Sequence, residues 1–400
     1  MMSINYCEKE RVFTLQTQNA TYQMIVDSHS YLLHCYYGAK IERQNLSYCI
    51  QPQDRGFAAN PPDAAGDRTL SPDTLPQEYS TFGVGDFRES CLDVRDKNGG
   101  VAADLRYGSY RIYPGKKPLN GLPAAYGNEK DVETLEIDLR DEVSGLVVTL
   151  RYSVFAQWDV IARSAEIFNR GTGVLILERA LSCCLDEPVP ASRDILTFYG
   201  RHMGERNLER MPLRHGKFRV DSMRGASSPH YNPFVILCDS AATETAGNCW
   251  AFSLVYSGNF IAQAEVDQID TLRFVMGIAP QNFSWELKPG ASFQAPEVLL
   301  CFSDYGFDAL SNRLNGFQMQ HLVRGKYRTE RCPILVNNWE ATYFDFDEER
   351  LLALAREAKE VGIEMLVLDD GWFGERNDDT TSLGDWFVNR QKLPDGLAGF

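Results

Sequence analysis

The sequence predicts a multidomain protein in which a large β sandwich is followed by an α/β segment. Two observations carry this. Residues 1 to about 305 are built from short strand-like runs separated by turn signals, with no long helical pattern among them. From Phe307 onward the apolar spacing becomes helical, and a strand–helix–strand order follows. The 400 residues suit two or three domains at roughly 150 residues each.

In the first part, Thr134-Leu-Glu-Ile-Asp-Leu139 and Phe252-Ser-Leu-Val-Tyr256 alternate apolar with polar, the period of a sheet with one buried face. Leu146 to Phe155 is a further strand. Turns recur at Asn98-Gly-Gly100, Gly171-Thr-Gly173 and Lys288-Pro-Gly290. The stretch from Gln51 to Pro76, rich in Pro, Asp, Gly and Ala, is too long for a turn; such loops are functional or disordered.

In the second part, Phe307, Leu310, Leu314, Phe317 and Leu322 lie at helical spacing and predict a linker helix within 306–330. Pro333-Ile-Leu-Val336 reads as a short strand. A helix follows from Asp347, with acidic residues in its first turn, an apolar stripe of Leu351, Leu354, Ala355, Ala358 and Val361, and Gly362 as its stop. Ile363 to Leu368 is a second, nearly all-apolar strand. The unit 331–400 is thus a βαβ element of a parallel sheet covered on both faces. One such unit cannot cover its own sheet, so the sequence is expected to be a fragment of a longer chain.

Composition removes several functions. Hydrophobic residues at 44% and charged residues at 24% exclude whole-chain disorder. A net charge of -15 repels phosphate backbones and argues against nucleic-acid binding. No apolar run approaches the roughly 20 residues of a membrane helix. The ten Cys include no C-x-x-C pair, and the N-terminus lacks a basic segment followed by an apolar one. A reduced, cytoplasmic protein is expected. There is no GxSxG, HExxH, phosphate loop or dinucleotide fingerprint. No cofactor is expected, and the acids lack the spaced further ligands of a metal site.

The sharpest local signal is Leu368-Asp-Asp-Gly-Trp-Phe-Gly374. Asp369 and Asp370 sit where a parallel strand ends, which is where ligands bind in such sheets. Adjacent carboxylates repel, so a metal, basic side chains or ligand hydroxyls must offset them. Trp372 offers a flat face suited to a sugar ring, or else it is core. At the end of the preceding strand, Asn337-Asn-Trp-Glu-Ala-Thr-Tyr343 gathers residues suited to polyol recognition, including Trp339. Asp385-Trp386 is a weaker third candidate. In the β part, His202 lies among the polar and basic residues of 199–206, where a surface role competes with a pocket-lining one.

At Asp369-Asp-Gly-Trp-Phe-Gly the chain resembles glycoside hydrolase family 36, the bacterial and fungal α-galactosidases. The likeness extends to Asn337 through Phe346, Ser382-Leu-Gly-Asp-Trp-Phe387, Leu75-Pro-Gln-Glu-Tyr79, Gly85-Asp-Phe-Arg88, Arg224-Gly-Ala-Ser-Ser228 and Val255-Tyr-Ser-Gly-Asn-Phe260, and so covers essentially the whole chain. The resemblance implies an N-terminal β-supersandwich (1–305), a linker helix (306–330) and the first βαβ unit of a (β/α)8 TIM barrel (331–400). It implies retaining hydrolysis of terminal α-D-galactosides such as melibiose and raffinose. The nucleophile and the acid/base are expected beyond Phe400, so this polypeptide alone is expected to be inactive. Asp369 and Asp370 match the pair that accepts hydrogen bonds from the C4 and C6 side of galactose, and Trp339 matches an aromatic wall. Many bacterial members are tetramers whose N-terminal loops enter a neighbour's site. The long loop, with Asp54-Arg-Gly-Phe57 and Arg68, matches that region. His202 falls where relatives often carry Trp, which bears on an outer subsite. A galactosyl transferase, another α-glycosidase on this scaffold or a non-catalytic carbohydrate-binding fragment are the alternatives.

Overall fold

The computed structural model describes residues 3–56, 60–188 and 193–400. Phe57 lies outside them. The chain divides into two compact units, 1–323 and 324–400.

The first unit is made of antiparallel sheets. Strands Ile4–Cys7, Val12–Gln16, Ala20–Val26 and Leu32–Ala39 form a meander of four. A ten-stranded sheet runs from the hairpin Arg193–Arg201/Gly204–Pro212 at one edge to Arg106–Pro114 at the other, with Glu297–Ser303 and Val160–Asn169 near its middle. A six-stranded sheet centres on Leu175–Pro188 and Thr271–Ile278. Their inward faces share one core, in which Leu135, Ile137, Leu150, Tyr152, Phe252 and Phe274 are fully buried.

The alternation in Glu133–Asp141 gives the correct strand, but its polar face is covered as well. Thr134, Glu136 and Asp138 are buried. Glu136 accepts hydrogen bonds from Tyr113 Oη (2.9 Å), Arg111 Nε (2.9 Å) and Arg151 Nε (3.0 Å), so long cationic and phenolic side chains from the neighbouring strands roof it over. Charge also lies inside the sandwich. Arg163 and Arg273 are the largest fully buried side chains. Glu78 accepts from Tyr22 (2.6 Å), Tyr152 (2.7 Å) and Arg163 (2.9 Å). Arg273 grips Asp186 at 2.7 and 2.6 Å and meets Asp86 at 2.8 Å. Buried charges persist only when paired in this way.

From residue 60 onward the long loop is anchored. Ala64, Leu70 and Leu75 are buried against Tyr31 and Leu33. The helix expected as a linker runs Gly306–His321 and is packed into the first unit. Leu310, Leu314 and Phe317 are buried with Phe155, and Phe155 meets Phe317 edge-on at 4.9 Å.

The second unit holds strands Leu335–Asn337 and Met365–Val367, parallel and in register Leu335↔Met365. They are joined by the helix Glu348–Glu360. Asp347 caps this helix, its carboxylate accepting the Arg350 amide at 2.9 Å, and Glu348 and Glu349 occupy its first turn. It ends at Gly362, whose φ of 87° favours glycine. Leu351 and Ala358 are buried, but Val361 is 78% exposed: it lies past the last helical turn, outside the expected stripe. The strands are not covered on both faces within this unit, since Leu335 is 51% and Met365 40% exposed. The unit's core is Phe346, Leu351 and Leu393, with Leu368, Trp372, Val388 and Phe400 around it. Among the described residues no helix is long and apolar enough to cross a membrane.

Candidate active site

The site is built where the two parallel strands end. Asn338, fully buried, ties them together. Its backbone amide donates to Val367 O (3.2 Å), its Oδ1 accepts the Asp369 amide (2.7 Å), and its Nδ2 donates to Thr342 Oγ1 (2.9 Å). Asn337 joins Trp339 to Asp369. Its Oδ1 accepts the Trp339 amide at 2.8 Å, and its Nδ2 donates to Asp369 Oδ2 at 2.5 Å. The indole of Trp339 is held by the edges of Tyr343 (5.2 Å) and Phe344 (4.9 Å) and is half-buried.

The two acids differ in their bonding. Both oxygens of Asp369 are engaged, Oδ2 by Asn337 and Oδ1 by the Asp370 amide at 2.7 Å. Asp370 Oδ1 accepts the Gly371 amide (2.9 Å) and Arg376 Nε (2.5 Å). Its Oδ2 has no hydrogen bond among the described residues. The hydrogen bond from Arg376 holds the Asp370 carboxyl below the ordinary carboxylate range, against the opposing effect of burial; the Gly371 amide and the charges of Arg376 and Lys392 add to it. Asp370 is therefore an anion with one open acceptor. A charged acceptor makes the strongest bonds to hydroxyl donors.

Arg376 is the residue that sequence reasoning missed. Its guanidinium is buried between Phe344 and Phe373, 5.6 and 5.9 Å from their centroids, and also donates to Thr381 O. The requirement that something offset adjacent carboxylates was a usable signal, and Arg376 is the first basic residue after them. Lys392 Nζ donates to Phe344 O (2.8 Å) and Gly371 O (3.0 Å), fastening the loop beneath the acids; burial lowers its pKa. Gly371, at φ 93°, turns the chain out of the strand.

Other candidates fall elsewhere. Trp372 packs on the unit's core instead of lying open. Trp386 is exposed and leans on Phe373 at 4.6 Å, in a loop closed by bonds from Gly374 N to Phe387 O and from Asn389 N to Trp372 O, both 2.8 Å. His202, in the first unit, is exposed at the tip of the edge hairpin, where its carbonyl accepts from Arg201. Asp54 and Arg68, also in the first unit, pair with each other at 2.8 Å on the exposed loop. Among the described residues no group of three or more His, Cys, Asp or Glu is arranged to hold a metal ion.

The remaining motifs are structural. Glu78, Asp86 and Arg88 of Leu75–Tyr79 and Gly85–Arg88 belong to the buried charge clusters. The segments Arg224–Ser228 and Val255–Phe260 bond to each other, Ser227 N to Ser257 O at 2.6 Å and Gly225 N to Asn259 Oδ1 at 2.7 Å.

Comparison with known proteins agrees with this architecture. The family model described as the glycosyl hydrolase family 36 N-terminal domain matches residues 30–288, and the melibiase model matches 292–400. The chain is 48% identical over 397 residues to the bifunctional α-galactosidase/sucrose kinase AgaSK of Mediterraneibacter gnavus, covering 99% of this chain and 42% of that protein. It is 48% identical to α-galactosidase AgaA of Geobacillus stearothermophilus, covering 100% of this chain and 54% of that one. The crystal structure of α-galactosidase AgaB from Geobacillus stearothermophilus superposes with a TM-score of 0.94 at 47% identity, over 99% of this chain and 54% of that one. The chain spans about half the length of the curated relatives it matches. A sandwich with those paired motifs, followed by a βαβ unit that ends in Asp369-Asp370, places the chain in glycoside hydrolase family 36.

Proposed function

We propose that the protein carrying this chain is an α-galactosidase that removes terminal, non-reducing α-D-galactose from oligosaccharides such as melibiose and raffinose by retaining hydrolysis. The observation that carries this reading is the acid pair at the strand end. Asp369 is held rigid at both oxygens, and Asp370 is kept ionised with Oδ2 open. Galactose presents its axial O4 and its O6 to one wall, where both hydroxyls can donate to such acceptors. A sugar whose O4 points elsewhere leaves a carboxylate unpaired, and that penalty gives selectivity. Trp339 supplies an apolar wall for the ring's C–H face.

Retaining chemistry needs two further carboxylates about 5–5.5 Å apart, one attacking the anomeric carbon and one protonating the leaving oxygen. No residue of 1–400 is assigned either role here. Asp54 and Arg68 are read as belonging to a loop shared between subunits of a homotetramer, and His202 as facing an outer subsite. Free, mostly buried cysteines support a reducing, cytoplasmic setting. The names of the relatives, α-galactosidases throughout, support the activity. The test is the rate and the anomeric product of melibiose and raffinose cleavage by the full-length protein. Initial release of α-galactose supports the reading. Release of β-galactose, or no cleavage of either sugar, overturns it, and galactosyl transfer without free galactose favours the transferase.

A further inference from the structure

The guanidinium of Arg376 ends two structural paths at once. Nε donates to Asp370 Oδ1 at 2.5 Å, and Nη1 donates to Thr381 O at 2.5 Å. A planar fork satisfies both acceptors only when the carboxylate and the carbonyl keep a fixed separation and a common plane. The side chain has little room to adapt. Arg376 is 4% exposed and lies over the rings of Phe344 and Phe373. Phe344 comes after the first parallel strand and Phe373 after the second, so the segments that leave both strands build its seat. Asp369 is held differently, by Asn337 Nδ2 and the Asp370 amide.

The carbonyl that Arg376 reaches belongs to an excursion of the chain. Residues 374–387 leave and return through a short antiparallel ladder, with Gly374 N bonded to Phe387 O, Asn389 N to Trp372 O and a bridge between Phe373 and Val388. Within the excursion Ser382 holds a φ of 62°, and its Oγ accepts the Glu375 amide at 3.2 Å. Thr381 O sits on the peptide that enters this left-handed turn. The turn, the carbonyl, the guanidinium and the Asp370 carboxylate are thus joined in one chain of contacts.

We propose that Arg376 is the positioning residue of the acid pair: it fixes the direction of Asp370 Oδ2 and passes the shape of the excursion 374–387 on to it. This rests on the reading of Asp370 as a sugar acceptor. The groups that face Asp370 are Asp369, Arg376 and Lys392, with Asp345 near Lys392 and Asp378 and Asp379 near Arg376. Removing Arg376 takes away the strongest influence that keeps the Asp370 carboxyl ionised and leaves the Gly371 amide and Lys392 against burial. Asp370 then takes up its proton at higher pH.

The test compares the full-length wild type with Arg376→Ala, Arg376→Lys and Ser382→Val, by the pH profile of kcat/KM for melibiose and by crystal structures. In Arg376→Ala, kcat/KM should fall about tenfold to a hundredfold, as for a misplaced binding group, and its acidic limb should move to higher pH. Guanidinium at non-denaturing concentration should enter the space between Phe344 and Phe373 and restore both the rate and the limb. Arg376→Lys keeps the charge without the fork, so the limb should stay in place while the rate falls. Ser382→Val puts a β-branched residue at positive φ and should lower kcat/KM about two- to thirtyfold, although no sugar contact is removed. Should Arg376→Ala fail to fold, Arg376→Lys and Ser382→Val decide. The proposal is overturned by an acidic limb that stays in place in folded Arg376→Ala, by a defect that guanidinium does not relieve, or by wild-type kcat/KM in Ser382→Val. Absence of melibiose cleavage by the wild type refutes the galactosidase reading instead. The crystal structures then decide the positioning role: the Asp370 carboxylate should turn from its wild-type rotamer in Arg376→Ala, and a carboxylate that stays in place overturns it.

Discussion

Asp370→Asn changes one atom's chemistry with little change of shape. Oδ1 continues to accept from Gly371 N at 2.9 Å and Arg376 Nε at 2.5 Å, so the side chain keeps its rotamer. The open Oδ2 becomes an amide nitrogen, a donor where the sugar hydroxyl needs an acceptor. A hydrogen bond to a charged acceptor is worth about 1.5–3 kcal/mol. At 1.36 kcal/mol per decade, kcat/KM for melibiose in the full-length protein falls by about 10- to 150-fold. Arg376 keeps its acceptors at the Oδ1 position and at Thr381 O, so a thermal melt separates a lost sugar contact from lost stability. The Asp370 pKa already lies below 3.8, so the wild-type acid is ionised throughout the neutral and mildly acidic range and the variant's defect does not change across it. The assay is initial rates with melibiose and with p-nitrophenyl α-galactoside, run beside a thermal melt. An unchanged kcat/KM in a protein of normal stability would falsify the role given to Asp370 and leave it a structural anchor for Arg376.

Three further outcomes follow from the first unit. Glu78→Gln leaves Arg163, fully buried, without its counter-charge and should destabilise the chain by about 3–5 kcal/mol, read from urea unfolding; a loss near zero would mean that the cluster is not ionic. Gly316→Ala, ordinarily a gain of about 1 kcal/mol inside a helix, should instead destabilise, because the new Cβ would sit 2.1 Å from Trp158 Cζ3; a raised melting temperature would show that the indole moves aside freely. Acid unfolding should set in between pH 4.5 and about 2. Burial opposes ionisation of Glu89, but Lys217 and Arg179 outweigh it and hold its pKa at about 2, and Glu78 and Asp186 are also lowered. Carboxyls depressed in the folded state stabilise above their unfolded pKa and lose that contribution as pH falls through the folded value. Circular dichroism across this window checks it, and a chain equally stable at both ends would contradict the buried pairings.

Much of the architecture was legible because it rests on periodicity. The strands around Leu135 and Leu150 and the helix after Asp347 follow from apolar spacing and an N-cap. What periodicity cannot supply is the identity of the neighbours. Glu136 and Asp138 read as a solvent-facing edge, yet arginines from adjacent strands bury them, a pairing set by sheet order across 15 to 25 residues of sequence. The helix at Phe307 read as a connector because its apolar stripe does not say which unit receives it. At the candidate site, the placement of the acids and Trp339 at strand ends was legible from the sequence, while their role in sugar binding is a proposal. Arg376 was not, because a loop residue six positions on reaches back only through a turn made possible by Gly371. Trp372 reads equally as a sugar platform or as core until its partners Leu351 and Leu393 are known.

Asn338 gives the acid pair a particular origin in folding. The same amide side chain that fixes Asp369 stands on the residue that extends the pairing of the two strands, so the carboxylates take up their working positions only once that register has formed. Under the proposed function, sugar recognition at this mouth would read out correct strand alignment. Strands paired out of register leave Asp369 without its Asn338 partner.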